Sequence, residues 1–581
     1  MDAPGTSAQS GTSGVAPLAD TDPKVYRRRW IILGVLITSL MAIVLDNTVL
    51  NVALKTIAEP AAGLGASQSQ LEWAINSYTL VFAGLLFTFG VVGDRVGRKR
   101  MLMVGLASFG LFSLITSYSH SPDQLVWARA AMGLAAAAVM PQTLSIISNV
   151  FDPAERPRAI GIWAVAVGIG IAIGPIVGGL LLAHFWWGSV FLINVPFCAA
   201  SVAAIALLVP ESKNPSPGRI DFVGVLASIV GLVLLVYGII QGGDKGSWVH
   251  PGVLGPALSG LAILAFFVWY EARVRYPSLD VRLFRDPRLS SAIAALSLVF
   301  FGMMGALFFL SFYLQSVRGY TPLKAGTFSL AFAVAQMLTA PRSPALVRRL
   351  GAKSVVAAGL LLVTAALIGY QLLNVSTPIW VLAVMFFVQG AGMGLVMPPA
   401  TEAVMSVVPR ERAGAGSALT NTARQVSGAL GVAVLGSILA QAYRGQLGPH
   451  LSALPPAARD AATNSITASQ AVAARLGPAG RDLAAFADAS FVHAMHLTTL
   501  ISAAITLLGA IVVMRWMPGR AAAPPAAGPA PVTQAAPVTQ AAPASQAAPA
   551  SQAVPASEPA GVAETAAERA PGPGGPVPME G

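Results

Sequence analysis

Long apolar stretches, each close to the length of a membrane-crossing helix, follow one another from residue 30 to residue 516. An α-helix rises about 1.5 Å per residue, so about twenty residues span the roughly 30 Å of bilayer hydrocarbon. On that basis the sequence carries fourteen candidate spans, at 30–50, 74–93, 101–118, 124–149, 159–182, 189–209, 221–240, 253–272, 290–316, 326–346, 353–373, 378–398, 414–440 and 490–516. The chain of 581 residues is 55% hydrophobic and only 10% charged, whereas a soluble domain carries about 25% charged residues. A water-surrounded core cannot absorb that much apolar sequence, so the bilayer must act as solvent. The expected fold class is an all-α polytopic membrane protein.

The charge pattern orients the spans. The net charge of +11 is concentrated in short clusters between apolar runs, including Arg27–Arg29, Arg98–Arg100, Arg156/Arg158, Arg348/Arg349 and Arg410/Arg412. Cytoplasmic loops of membrane proteins carry this bias, and nucleic-acid binding is not needed to explain it. The alternate loops are poor in Lys and Arg apart from Lys55, Lys245, Arg318, Lys324 and the long 441–489 loop. Both termini are therefore expected in the cytoplasm. Residues 1–27 and the Ala/Pro/Gln/Ser repeats of 519–581 have little to bury and are expected to be disordered. The alanine-rich, lysine-poor composition fits a GC-rich bacterial genome.

Several chemistries are excluded or disfavoured. No Lys follows a Gly, so there is no phosphate-binding GxxxxGK[ST] loop and no expected ATP hydrolysis. The glycines of Gly168–Gly174 lie inside an apolar helix without a preceding strand, unlike a dinucleotide fingerprint. His493 and His496 stand alone at the start of the last span and read as a solvated pair rather than metal ligands. A single cysteine, Cys198, rules out an intrachain disulfide. No catalytic triad is found; the chain reads as a non-enzyme with no metal and no cofactor.

Polar residues inside spans are costly and mark function by default. Asp46, in LDNTVLNVAL, lies about 24 Å into the first span. It is either a functional carboxylate or a helix-end carboxylate reaching the far headgroups. Arg129, in RAAMG, lies about 8 Å into the fourth span from the opposite side. The two could share a depth, and a carboxylate near an Arg changes its proton affinity when that partner moves away. A static ion pair fixing helix orientation is the other reading. Gly170, Gly174 and Gly178, with Pro175 and Gly179, form a small-residue face on the fifth span; packing and a hinge or gasket between two halves are equally open. Arg424 and Gln425, with Asn421 one turn earlier, imply a polar cavity in the thirteenth span, which Trp73, Tyr78, Trp163 and Tyr313 could line.

Together these segments resemble the major facilitator superfamily, specifically its fourteen-spanning drug:proton antiporters. GVVGDRVGRKR at Gly90–Arg100 resembles the family's loop motif between helices two and three. LDNTVLNVAL at Leu45–Leu54, with Lys55 in place of the usual proline, is similar to the first-helix signature. RAAMG at Arg129–Gly133 resembles the fourth-helix motif, with Met132 where Gln is common. GIAIGPIVGG at Gly170–Gly179 resembles the antiporter motif of helix five, and FLINVP and NTARQVSGALG also fit, although Gly188 stands where Arg is frequent. The resemblance covers about residues 28–518.

The resemblance implies two six-helix bundles, 28–210 and 290–518, around a central cavity, with 211–289 holding an inserted helix pair. It implies alternating access, a monomer taking a small-molecule substrate in the lipid bilayer, and a proton gradient as energy source. Asp46 becomes the protonation site, Arg129 its modulator, and Gly170, Gly174, Pro175, Gly178 and Gly179 the antiporter hinge. In the loop, positive-inside bias explains Arg98, Lys99 and Arg100 but not Gly90, Gly93, Gly97 or Asp94. The resemblance makes Gly90, Asp94, Arg95, Gly97 and Arg98 a conformational latch and implies the start of span thirteen, near Ala413–Ser417, as its partner. The expected function is proton-driven efflux of amphipathic drugs or antibiotics, including a self-made aromatic polyketide, across the bacterial plasma membrane. A metabolite:proton symporter and a non-transporting polytopic receptor or scaffold are the alternatives; the glycine–proline fifth span opposes the first and the intramembrane charges oppose the second.

Overall fold

The computed structural model describes residues 23–152, 155–213, 221–274, 277, 281–408, 413–452 and 454–518. Among them there are helices and no strands. The long helices are α1 (Pro23–Ala58), α2 (Gln68–Val96), α3 (Arg98–Ser117), α4 (Pro122–Val150), α5 (Arg156–His184), α6 (Asn194–Leu208) and α7 (Phe222–Lys245). They continue with α8 (Pro251–Glu271), α9 (Pro287–Phe312), α10 (Pro322–Thr339), α11 (Ala352–Gly369), α12 (Ile379–Val407), α13 (Ala413–Leu447) and α14 (Arg481–Trp516).

Helix starts follow local chemistry. Ser67 accepts from the backbone N–H of Gln70 while Gln70 accepts from the N–H of Ser67, a reciprocal cap that begins α2 at Gln68, six residues before the apolar run at 74. Proline in the first turn and Ser, Thr or Asp caps open α4, α9 and α10. Interior prolines, Pro141, Pro175 and Pro398–Pro399, are carried inside α4, α5 and α12, where neighbouring helices can compensate the lost backbone bond.

Twelve of the described helices are long and apolar enough to cross a membrane, thirteen if the bent pair Gln68–Leu86 and Thr88–Val96 is one span. The expected count of fourteen is thus not reached by length and composition alone. In α5 only Ile173–His184 stands out as an apolar stretch, because several residues earlier in that helix have no described side chains. The outer surface is apolar: Trp127, Leu207, Leu258, Phe266 and Trp269 are all exposed. In water such a surface would aggregate; in lipid it is solvated.

The first half packs α2 and α3 on α4, α1 on α5 and α3 on α6. The second packs α9 on α13, α11 on α12, α10 on α12, and α14 on α9 and α11. The helix pair α7–α8 lies between them in sequence; α7 packs on α2 of the first half and on α13 of the second. Successive helices run antiparallel, so one face of the bundle carries the start of α1 and the α2–α3 corner (the proximal face). The opposite, distal face carries the α1–α2 connection and the end of α13.

Among the described residues, hydrogen bonds joining the halves lie at or toward the distal face. Lys55 Nζ donates to the Gln315 carbonyl at 2.9 Å and Gln315 Nε2 to the Val52 carbonyl at 2.9 Å. Ser311 donates to the Asn51 carbonyl, and Gln68 Nε2 to the Gly436 carbonyl at 3.2 Å. Nearer the middle, Thr422 lies 3.5 Å from the Ala83 carbonyl. Gln315 sits in a widened π turn, Tyr313–Val317, that continues α9. Such turns re-aim side chains and recur at functional positions.

Candidate functional site

Asp46 on α1 and Arg129 on α4 meet inside the first half, each 1% exposed. Arg129 Nη1 lies 2.5 Å from Asp46 Oδ2. The ion pair is one part of a larger nest. Asn194 Nδ2 on α6 donates to Asp46 Oδ1 at 3.2 Å and approaches Ser113 Oγ on α3 at 3.1 Å. Ser113 in turn donates to the Phe191 carbonyl at 2.8 Å. Arg129 Nε donates to the Ala74 carbonyl of α2 at 3.1 Å, and its guanidinium carbon sits 4.3 Å from the Tyr78 ring centroid. Five helices thus contribute to one buried charge pair.

The pair satisfies the condition for burying charge in low dielectric: opposite charges in contact, with remaining donors and acceptors occupied. Replacing such an arrangement by apolar residues is often neutral for stability, so stability alone does not account for an acid here. A carboxyl with one basic and one amide donor can exchange a proton for the Arg contact when the helices shift. Met132, one turn after Arg129, places its sulfur 3.9 Å from Arg129 Nη1 and accepts from Thr116 Oγ1 at 3.2 Å. The thioether fills the position without a strong hydrogen bond of its own.

The fifth-span glycines divide between two partners. A Cβ on Gly170, Gly174 or Gly178 would fall within 2.9, 1.9 or 2.8 Å of Val44, Thr48 or Val49, all on α1. These three glycines therefore let α5 lie directly on the helix that carries Asp46. Gly179 and Pro175 face the other half: a Cβ on Gly179 would lie 2.4 Å from Leu323, and the Pro175 carbonyl abuts Gly326 of α10.

The α2–α3 corner is held within the first half. Arg98 Nε pairs with Asp94 Oδ1 at 2.8 Å, the Arg98 N–H donates to the Ser212 carbonyl at 2.9 Å, and the Lys99 N–H donates to Glu211 Oε1 at 3.1 Å. Gly97 has φ +125°, a conformation that favours glycine, and a Cβ there would meet the Glu211 carboxylate at 2.7 Å. Gly90 approaches Pro141 of α4, and Arg95 is exposed at the corner. Asp94 is engaged by Arg98. Residues 409–412, which precede α13, lie outside the described residues, as do the side chains of Ala413 and Ser417.

The proposed cavity residues are not brought together. Arg424 packs its guanidinium 4.5 Å from the Phe300 ring centroid and lies 3.5 Å from Asn421 Oδ1, with Gln425 beside it on α13. Tyr78 is fully buried under Arg129, so it belongs to the acid–base nest and does not line an open cavity. Tyr313 is buried at the distal end with its hydroxyl donating to the Asn374 carbonyl at 2.8 Å, beside a small pocket it shares with Arg318 and Tyr320 and apart from Asn421, Arg424 and Gln425. Trp73 faces Tyr237 of α7, ring centroids 6.2 Å apart, and Trp163 is nearly buried in α5. His496 puts Nε2 2.8 Å from the Leu373 carbonyl, so it is a buttress between α14 and the end of α11. Gly188 has no room for the frequent arginine: a Cβ would lie 2.2 Å from the Ser117 carbonyl.

Sequence reasoning missed Asn194, Ser113 and Glu72. Asn194 lies within the FLINVP segment, but a neutral amide gives no charge signal. Glu72, 1% exposed, sits where α2 meets α13.

The model of the family described as Major Facilitator Superfamily matches residues 36–432. The chain is 35% identical to the multidrug efflux pump LfrA of Mycolicibacterium smegmatis over 84% of its own length and 96% of that protein's. It is 34% identical to the multidrug resistance protein Stp of Mycobacterium tuberculosis, covering 82% of this chain and 90% of Stp. It is 32% identical to the tetracenomycin C resistance and export protein of Streptomyces glaucescens, covering 84% and 91%. Among solved structures, a bacterial homolog of the lysosomal transporter Spinster, inward-facing and unoccupied, superposes with TM-score 0.58 at 17% identity, covering 84% of this chain and 98% of that one.

Proposed function

The chain belongs to the Major Facilitator Superfamily, and within it we propose a drug:proton antiporter of the fourteen-spanning type that exports amphipathic small molecules by alternating access. It is a multi-pass membrane transporter and not an enzyme. The names of its relatives, two of them multidrug and one antibiotic export proteins, support drugs or antibiotics, aromatic polyketides among them, as cargo. Bacterial efflux relatives place it in the plasma membrane; on the charge pattern, both termini and the proximal face are cytoplasmic.

The observation that carries the proposal is the buried Asp46–Arg129 pair seated on the glycine face of α5. In this reading Asp46 takes a proton from outside when the distal face is open. Protonation frees Arg129 from its counter-charge, and the α1–α5 contact transmits the change. On the proximal side the proton leaves as cargo loads. The proton gradient supplies the energy and no cofactor takes part. The transporter works as a monomer, and nucleic acid plays no part. The distal seam is hydrogen-bonded here, which fits an inward-open resting state. In the outward-open state Asp94, with Gly90, Arg95, Gly97 and Arg98 shaping the corner, would latch against the start of α13. Asn421, Arg424 and Gln425 would then face the cargo path.

The test is efflux in a drug-sensitive bacterial host. Expression should lower accumulation of a cationic dye, and a protonophore should restore it. Export that persists after the gradient is collapsed contradicts the antiport reading.

A further inference from the structure

Glu72 occupies a junction of three structural parts: α2 of the first half, α7 of the inserted pair and α13 of the second half. Its carboxyl is 1% exposed and presses on the α13 backbone, because a Cβ on Gly436 would lie 2.3 Å from Glu72 Oε1. Beside it Gln68, one turn earlier on α2, ties the seam by donating to the Gly436 carbonyl at 3.2 Å. Next to that, Gly243 of α7 abuts Ser437 of α13, whose hydroxyl donates to the Ile239 carbonyl at 3.1 Å. The seam is close-packed.

The other Glu72 oxygen, Oε2, is buried with no hydrogen-bond partner among the described residues. The charged groups that face the carboxyl are Asp244 on α7 and Arg444 on α13, while α2 supplies only the neutral Gln68. Asp244 and Arg444 are engaged with each other at 3.4 Å, and Arg444 Nη1 donates to the Gly243 and Asp244 carbonyls at 2.6 Å each. No cation is therefore in contact with Glu72. An ionised carboxylate with an unmet oxygen and no contacting cation in a buried seam is costly, and the neutral acid costs less. Contrast Asp46, whose two oxygens each have a donor.

We infer that Glu72 is a second proton-binding site, which holds a proton while the distal seam is closed and loses it to water when α2 and α13 part. The step is R–COOH to R–COO⁻ plus a proton released on the distal side, and the reverse on closure. The proton returns to the side it came from, so Glu72 carries none across. It makes closure of the seam depend on acidity at the distal face. The inference rests on the alternating-access reading but uses a readout that needs no transport.

Spin labels at Ala62→Cys and Gln446→Cys, both exposed on the distal face, report the seam across the halves in purified protein in lipid nanodiscs. Raising the pH from about 5 to about 9 should increase the open population about ten-fold. Glu72→Gln, isosteric with the neutral acid, should stay closed and flatten that rise to less than about two-fold. A Glu72→Gln protein that retains the full rise, or a wild type with none, overturns the proposal. A second measurement needs no variant: a lipophilic carbodiimide, which modifies protonated carboxyls in apolar surroundings, should label Glu72 at about pH 6 and about five-fold less at about pH 9. Equal labelling at both values overturns it as well. Loss of gradient-dependent export with an intact seam response would instead sink only the export reading.

Discussion

The two halves share an architecture and differ in how they treat charge. In the first, Arg129 meets Asp46 in a nest with Asn194, Ser113 and Tyr78. In the second, Arg424 lies against the Phe300 ring and near the neutral Asn421, and no acidic side chain is in salt-bridge contact with it among the described residues. Both halves turn a helix corner on a glycine with positive φ, Gly97 at +125° and Gly351 at +84°. Yet among the described residues only the first corner is clasped by a carboxylate, Glu211. The comparison separates what the fold requires, a tight corner in each half, from what chemistry requires, an acid–base pair in one.

The largest effect that would break this contrast is expected at Arg129. Arg129→Leu leaves Asp46 buried without its cation, which costs about 3–5 kcal/mol; a detergent thermal-shift assay should show strong destabilisation, and efflux should vanish. If the variant is as stable as wild type, the pair is not the anchor of the first half. Next is Gly174→Leu, where the added side chain must enter the Thr48 position of α1. Overpacking costs about 1–3 kcal/mol, so both melting temperature and export should fall, whereas Gly255→Leu, with open space around it, should change neither. Arg424→Gln sharpens the contrast: stability should change by less than about 1 kcal/mol, since it removes one ring contact and one long hydrogen bond to a neutral amide, while half-saturation for a cationic and for a neutral dye should change by different factors.

The smallest effect belongs to the proximal surface. Arg29 Nε lies 2.7 Å from Glu155 Oε2. The hydrogen bond from Arg29, and then its charge, hold the Glu155 carboxyl below the usual carboxylate range. A lowered carboxyl contributes stability above its unfolded pKa, and that contribution is lost as pH falls through the folded value. Glu155→Gln should therefore lower the melting temperature by no more than about two degrees at neutral pH, and the difference should fade as pH falls below the usual carboxylate range.

Twelve or thirteen membrane-length helices and the pairing of Asp46 with Arg129 were legible because apolar length and intramembrane charge are strong signals that context seldom overrides. Glu72 was not. The apolar run begins at residue 74, which puts Glu72 in a loop, but the Ser67–Gln70 cap starts the helix earlier and draws it into the seam. Tyr78 and Tyr313 read as cavity aromatics because sequence gives an aromatic's type and not its partner; one stacks on Arg129 and the other bonds the Asn374 carbonyl. Asn194 was invisible for a related reason, since an uncharged amide inside FLINVP looks like packing until its acceptor, Asp46, is known. The glycines of α5 were legible as a face, but their partner, α1, required the fold.

The central claim is that Asp46 carries the proton that drives export. Its most direct test is proton movement in proteoliposomes holding the purified protein and a pH-sensitive dye, with an outward cargo gradient imposed. Wild type should carry protons inward against the outward cargo flow and acidify the lumen, while Asp46→Asn should bind cargo with little change and move no protons. Cargo-driven proton movement undiminished in Asp46→Asn would contradict the account.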